Sequence, residues 1–126
     1  MEAQSKPYKL AFEKRSRYLR ARVTASEMTP DIARSYLSEL AKICKELSIS
    51  RLMLERRIRG TLSAQDDRKE IISLSKLLLN GLRLAIVEPQ SANLKELESC
   101  ARVARSKNLD VEVFDDVEEA KQWLLQ

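Results

Sequence analysis

The polar residues best grouped for chemistry are Arg56, Arg57 and Arg59, in the run Arg56-Arg57-Ile58-Arg59. They follow the apolar segment Leu52-Met53-Leu54, so they fall at the carboxyl end of a predicted central strand, where open α/β sheets place their ligands. The residues after them lead into a predicted helix N-terminus, which also favours negative charge. A phosphate, an acidic protein partner or a lipid headgroup would suit such a run. The competing reading is a solvated strand end whose arginines pair with Glu55 or nearby acids.

Other chemistry is hard to assemble from these residues. The 126-residue chain has no histidine, which removes the commonest acid–base side chain and every Ser-His or Cys-His nucleophile. Its two glycines, Gly60 and Gly81, build neither a phosphate loop nor a dinucleotide fingerprint. Asp66-Asp67 and Asp115-Asp116 each sit at a predicted helix start, where acids complement the dipole, and no further ligand spacing supports a metal. Cys44 and Cys100 both lie on apolar helix faces and read as reduced core thiols. No catalytic residue, metal or cofactor is nominated, and the chain is expected not to be an enzyme.

Charge and apolar surface suggest partners instead. Residues 1–60 hold 14 Lys+Arg against 7 Asp+Glu, whereas residues 61–126 hold 9 against 12. Arg15, Arg17, Arg20 and Arg22 could extend a basic surface, but aromatics for base stacking are sparse, so nucleic acid is disfavoured. Leu77-Leu78-Leu79 covers more of a helix than one buried face requires, and Leu124-Leu125 extends past Trp123. Such excess could serve a homodimer, a membrane surface or an apolar ligand, with Ile71, Leu74 and Leu78 as the candidate ligand contacts.

The elements that must position these residues follow from periodicity. Tyr8, Leu10 and Phe12 alternate with polar neighbours, as do Leu19, Ala21 and Val23, and the polar segment 14–17 joins them as a hairpin. Thr29-Pro30-Asp31 starts a helix whose apolar stripe runs from Ala33 to Leu47. A strand over 51–58 follows, then a helix capped by Ser63 and stopped at Asn80-Gly81. Leu82 to Val87 is a strand, about 93–107 a helix, and Val111, Val113 and Phe114 the last strand. Asp116 and Glu119 fit a capping box for a terminal helix. The sum is one α/β domain with a mixed sheet of about five strands and four helices. The start Met1 to Lys6 has no apolar stretch of a secretory signal, and a cytoplasmic protein is expected.

With that order in place the chain resembles the SpoIIAA-like family, in the STAS-like fold class of anti-sigma-factor antagonists. The likeness spans almost the whole chain. It rests on the opening hairpin, Leu52-Met53-Leu54-Glu55, the strand Gly81 to Val87 and, most specifically, the ending from Val113-Phe114-Asp115-Asp116 to Trp123-Leu124. The resemblance implies a regulatory or protein-interaction domain. In the antagonist branch a serine in an Asp-Ser-Gly motif at the start of the second helix is phosphorylated. Ser63 falls near that position, but Leu62 and Ala64 replace the motif's neighbours, and Ser63 as a plain helix cap is the simpler reading. The branch without the motif is similar to the CRAL-TRIO lipid-transfer fold, which implies an apolar or amphipathic ligand under a mobile second helix from Ile71 to Leu79, with peripheral membrane association. An active site shared with another chain is the remotest expectation.

Overall fold

Alternating side chains in two short runs form strands β1 (Tyr8–Lys14) and β2 (Leu19–Ala25), which pair antiparallel with Tyr8 opposite Ala25 and Lys14 opposite Leu19. The structure is a computed structural model that describes residues 7–126. The segment Met1 to Lys6 lies outside the described residues. Helix α1 (Pro30–Glu46) starts as its sequence demands: Pro30 occupies the first turn, and the Thr29 hydroxyl accepts a hydrogen bond from the Ile32 N–H at 3.1 Å. The chain then alternates through β3 (Arg51–Ile58), α2 (Gln65–Leu79), β4 (Arg83–Val87), α3 (Ser91–Ser106), β5 (Asp110–Phe114) and α4 (Val117–Leu124).

The five strands stand in the order β1-β2-β3-β4-β5, and every pair after the hairpin is parallel. Each helical crossover therefore steps one strand in the same direction. Right-handed connections of this kind put α1, α2 and α3 on one face of the sheet. The larger core lies there and includes Leu40 and Cys44 of α1 together with Leu19, Leu52, Leu54 and Val111 from the strands. A smaller core on the opposite face sets Ala120 and Leu124 of α4 against Met53, Ala85, Val87 and Tyr18. The run Leu52-Met53-Leu54 serves both cores because successive strand residues point to opposite faces. Its continuous apolar character fits a strand covered on both sides.

The second helix departs from the sequence reading at its start. Ser63 is not the cap: Ala64 occupies that position, with no side-chain hydrogen bond, and Ser63 is exposed one residue earlier. The guanidinium of Arg68 holds the loop instead, donating at 2.8 Å to the carbonyls of both Leu62 and Ser63. At the other end the expected stop holds. Gly81 takes φ +89°, a left-handed conformation that side chains with a Cβ seldom adopt.

α1 is also fastened to the first strand by a polar contact. The Tyr8 hydroxyl donates to the Glu39 carboxylate, while the ring packs edge-on against Tyr36 at 6.4 Å between centroids. Burial, then the hydrogen bond to Glu39 and its negative charge, push the Tyr8 hydroxyl from its ordinary 10.0 up to about 12. The unfolded chain therefore loses this proton first as pH rises. Stability from this group is complete below pH 10 and is lost as pH climbs to about 12. Urea unfolding at stepped alkaline pH should show that decline, and Tyr8→Phe should flatten it. An unchanged slope in the variant would show that other groups carry it.

Candidate functional site: a cavity beneath the second helix

The pleat of β3 decides where its arginines go. Leu52, Leu54, Arg56 and Ile58 share the face covered by α1, α2 and α3, whereas Met53, Glu55 and Arg57 point the other way. Arg56 therefore enters the interior and is only 2% exposed. Its Nη1 donates to Glu88 Oε1, on a carboxylate that is 0% exposed. Its Nη2 donates to the Gly60 carbonyl at 3.0 Å. The second Glu88 oxygen accepts from the Gln90 N–H at 3.0 Å. One ion pair thus ties the end of β3, the turn into α2 and the turn into α3 together. Nearby, Asn93 is also buried and donates through Nδ2 to the Ile58 carbonyl at 3.4 Å. No buried side-chain nitrogen or oxygen among the described residues lacks a partner.

A cavity of about 120 Å³ opens beside this pair. Its sheet side is Leu54, Leu84 and Ile86, and α2 roofs it with Ile71, Ile72 and Ser75. α3 contributes Leu97, Cys100 and Ala104, and α1 contributes Tyr36 and Leu37. The walls are mostly apolar, and Arg56, Arg68 and Glu96 are the charged residues among them. α2 closes it loosely: only Ile72 and Leu79 of its residues are buried, and Leu77 is 77% exposed. Two ion pairs bind the first half of α2 to its neighbours, Arg34 Nη1 to Glu70 Oε2 at 2.5 Å and Arg68 Nε to Glu96 Oε1 at 2.9 Å. Both are partly solvated, and pairs of that kind contribute about 0–1 kcal/mol.

The thiols offer no nucleophile here. Burial and then Glu96 raise the Cys100 pKa, with Arg68 and Arg56 opposing them, and burial alone raises Cys44 to about 11. Both cysteines are free. Tyr36, deep in the wall, is likewise pushed up by burial, partly offset by the charge and hydrogen bonding of Arg56. No group of three or more potential metal-ligating side chains occurs among the described residues.

Of the residues singled out by sequence, the structure brings Arg56 and Ile71 to this cavity. Leu74 and Leu78 are half-buried and pack against the main core without lining it. Arg57 and Arg59 are exposed, with Arg57 on the opposite face from Arg56, so the three arginines do not form one surface. Sequence reasoning passed over Glu88, Arg68, Glu96 and Cys100 as members of the site. Only Glu88 left a trace, as a carboxylate directly after the largely buried strand β4.

The buried pair should behave as a unit. Arg56→Ala or Glu88→Ala alone leaves one charge stranded in the interior, a loss of about 3–5 kcal/mol. Arg56→Met with Glu88→Leu should recover most of it. Urea midpoints for the three variants check this, and a double variant as weak as the singles would mean the hydrogen bonds to the turns matter more than the charge pairing.

No family model matches the chain, and no curated protein does. Among solved structures it is similar to an uncharacterised protein of the DUF3478 family with a SpoIIAA-like fold from Shewanella loihica PV-4. The two share 17% identity with a TM-score of 0.54, and the match covers 98% of each chain. The likeness runs over nearly the whole of both chains, and with its five-stranded mixed sheet and four helices the chain described here has a SpoIIAA-like α/β fold.

Proposed function

We propose that this chain is a non-enzymatic binding domain that takes a small apolar or amphipathic molecule in the cavity beneath α2 and signals its occupancy through that helix. The observation that carries this reading is the cavity itself: apolar walls, a loosely seated roof, and the ion-paired Arg56 and Arg68 among its lining. Its size is informative. An engineered cavity of about 150 Å³ lined by similar side chains binds benzene, whereas drug-sized ligands occupy roughly 300–1,000 Å³. The cavity as it stands holds a single ring or a short chain, and anything longer requires α2 to lift.

The means to lift are present. Leu79 is fully buried and anchors the end of α2, whereas the first half is held by the ion pairs of Glu70 and Arg68. An anionic head on the ligand could replace Glu96 as the partner of Arg68, which would free the same helix from α3. Movement of α2 would change the surface around Arg59 and Ser63, the segment expected to meet a protein partner. Ligand binding then supplies the differential affinity that any such population shift requires.

Decanoate, a ten-carbon carboxylate, and benzene serve as probes. Thermal unfolding of the wild-type chain should shift upward with either, and Ala104→Phe, which fills the cavity, should abolish the shift without lowering the melting point by more than a few degrees. Binding of benzene but not decanoate would limit the site to its closed volume. No shift with either probe would remove this reading.

A further inference from the structure

The sheet face opposite α1, α2 and α3 is only partly covered. α4 lies over β3, β4 and β5 and leaves the β1–β2 half without a helix. The strand register places the side chains on this open half in rows. Lys9, Thr24 and Arg57 form one row, Ala11, Arg22 and Glu55 the next, and Glu13, Arg20 and Met53 the third. Below the last row the hairpin turn and α4 form a shallow cleft that includes Arg15, Arg17 and Lys121, with Arg15 Nη1 3.2 Å from Glu13 Oε1 at its edge.

Two features make this more than a solvated sheet face. Glu55 is nearly buried, with a side chain 7% exposed, and it binds both arginines of β2. Arg20 Nε donates to Glu55 Oε1 at 2.5 Å, and Arg22 Nε lies 3.5 Å from Oε2. One carboxylate therefore holds two guanidinium groups side by side, leaving a surplus positive charge and outward N–H donors. The flanking cations are uncommitted: among the described residues no carboxylate lies within ion-pair distance of Lys9, Arg17, Arg57 or Lys121. Lys9 and Arg57 flank Thr24 from the neighbouring strands, so with Arg20 and Arg22 the cations of this face are spread over three strands.

From this arrangement we infer that the open β1–β2–β3 face is a docking surface for the phosphate backbone of a nucleic-acid duplex, bound without regard to sequence. The scarcity of aromatics that counts against base stacking leaves phosphate contacts untouched, because these need only spaced cations. The same face carries no large apolar side chain to enter a bilayer, since Ala11, Thr24 and the buried Met53 are its only uncharged members. A duplex fits this better than a membrane surface does. The inference is independent of the cavity, which lies on the other side of the sheet.

Fluorescence anisotropy with a labelled random-sequence DNA duplex of about 20 base pairs tests it. Saturable binding is expected at 50 mM salt, weakening about a hundredfold by 200 mM if roughly four phosphates are engaged. Lys9→Glu with Arg57→Glu, two exposed positions that leave the Glu55 cluster intact, should weaken binding at least tenfold while the far-UV circular dichroism stays unchanged. Lys95→Glu with Arg102→Glu makes the same charge change on α3, on the opposite side, and should weaken binding less than threefold. Absence of binding at 50 mM salt, or equal loss in both double variants, would overturn the inference. So would tighter association with vesicles of phosphatidylcholine and phosphatidylserine than with the duplex. Retention of duplex binding in Ala104→Phe separates this surface from the cavity.

Discussion

The carboxyl ends of β3 and β4 are held together by one buried ion pair, Arg56 with Glu88, and much of the molecule is arranged to make that pair tolerable. Taking two charges out of water costs several kcal/mol each unless their remaining donors and acceptors are met. Gly60 supplies a carbonyl to the guanidinium and Gln90 an N–H to the carboxylate, and both come from the turns that launch α2 and α3. The geometry of those turns is therefore set by an electrostatic requirement as much as by loop chemistry. Gly60, at φ +80°, lets its carbonyl face back toward Arg56.

This constraint also accounts for how the cavity is built. α1 and α3 settle on the sheet through small or well-fitted residues, such as Ala33, Ala101 and Ala104. Between them α2 presents Ile71, Ile72 and Ser75 to a sheet that already accommodates the Arg56 guanidinium beneath its start. The result is a void of about 120 Å³ where close packing would otherwise be the rule. A protein interior that leaves such space under a helix with few buried residues has its weakest packing there, and weak packing is where local opening concentrates.

The opposite face is organised differently. α4 is clipped down by Arg83, which stacks over the Trp123 ring at 3.7 Å and donates to the Trp123 carbonyl at 2.8 Å. Trp123 in turn meets Phe114 at 5.7 Å between ring centroids. One short helix fixed in this way protects β3 to β5 and leaves β1 and β2 to solvent. The charges on the bare half are a consequence, because an uncovered face must be polar. Their shared carboxylate, Glu55, gives them order as well.

Much of the architecture is legible in the sequence because its signals are local. Thr29-Pro30 starts α1, Asn80-Gly81 ends α2, Asp116 accepts from the Glu119 N–H at 3.0 Å to start α4, and two alternating runs make the hairpin. Each of these depends on neighbours within a few residues. The resemblance carried by Val113 to Leu124 is borne out at the level of fold. The site is another matter. Arg56 and Arg57 are adjacent and chemically identical, yet one is buried against a carboxylate 32 residues away and the other meets solvent. The pleat separates them, but only the packing of three helices on one face decides which side is interior. Ser63 reads as a cap in the sequence but lies one residue before the helix cap, in a loop whose carbonyls accept from Arg68. The sequence by itself therefore determined the elements and their order, through local hydrogen-bonding and periodicity. Only the tertiary structure decided which charges are buried, where space remains and which half of the sheet is bare, since those depend on distances between segments far apart in the chain.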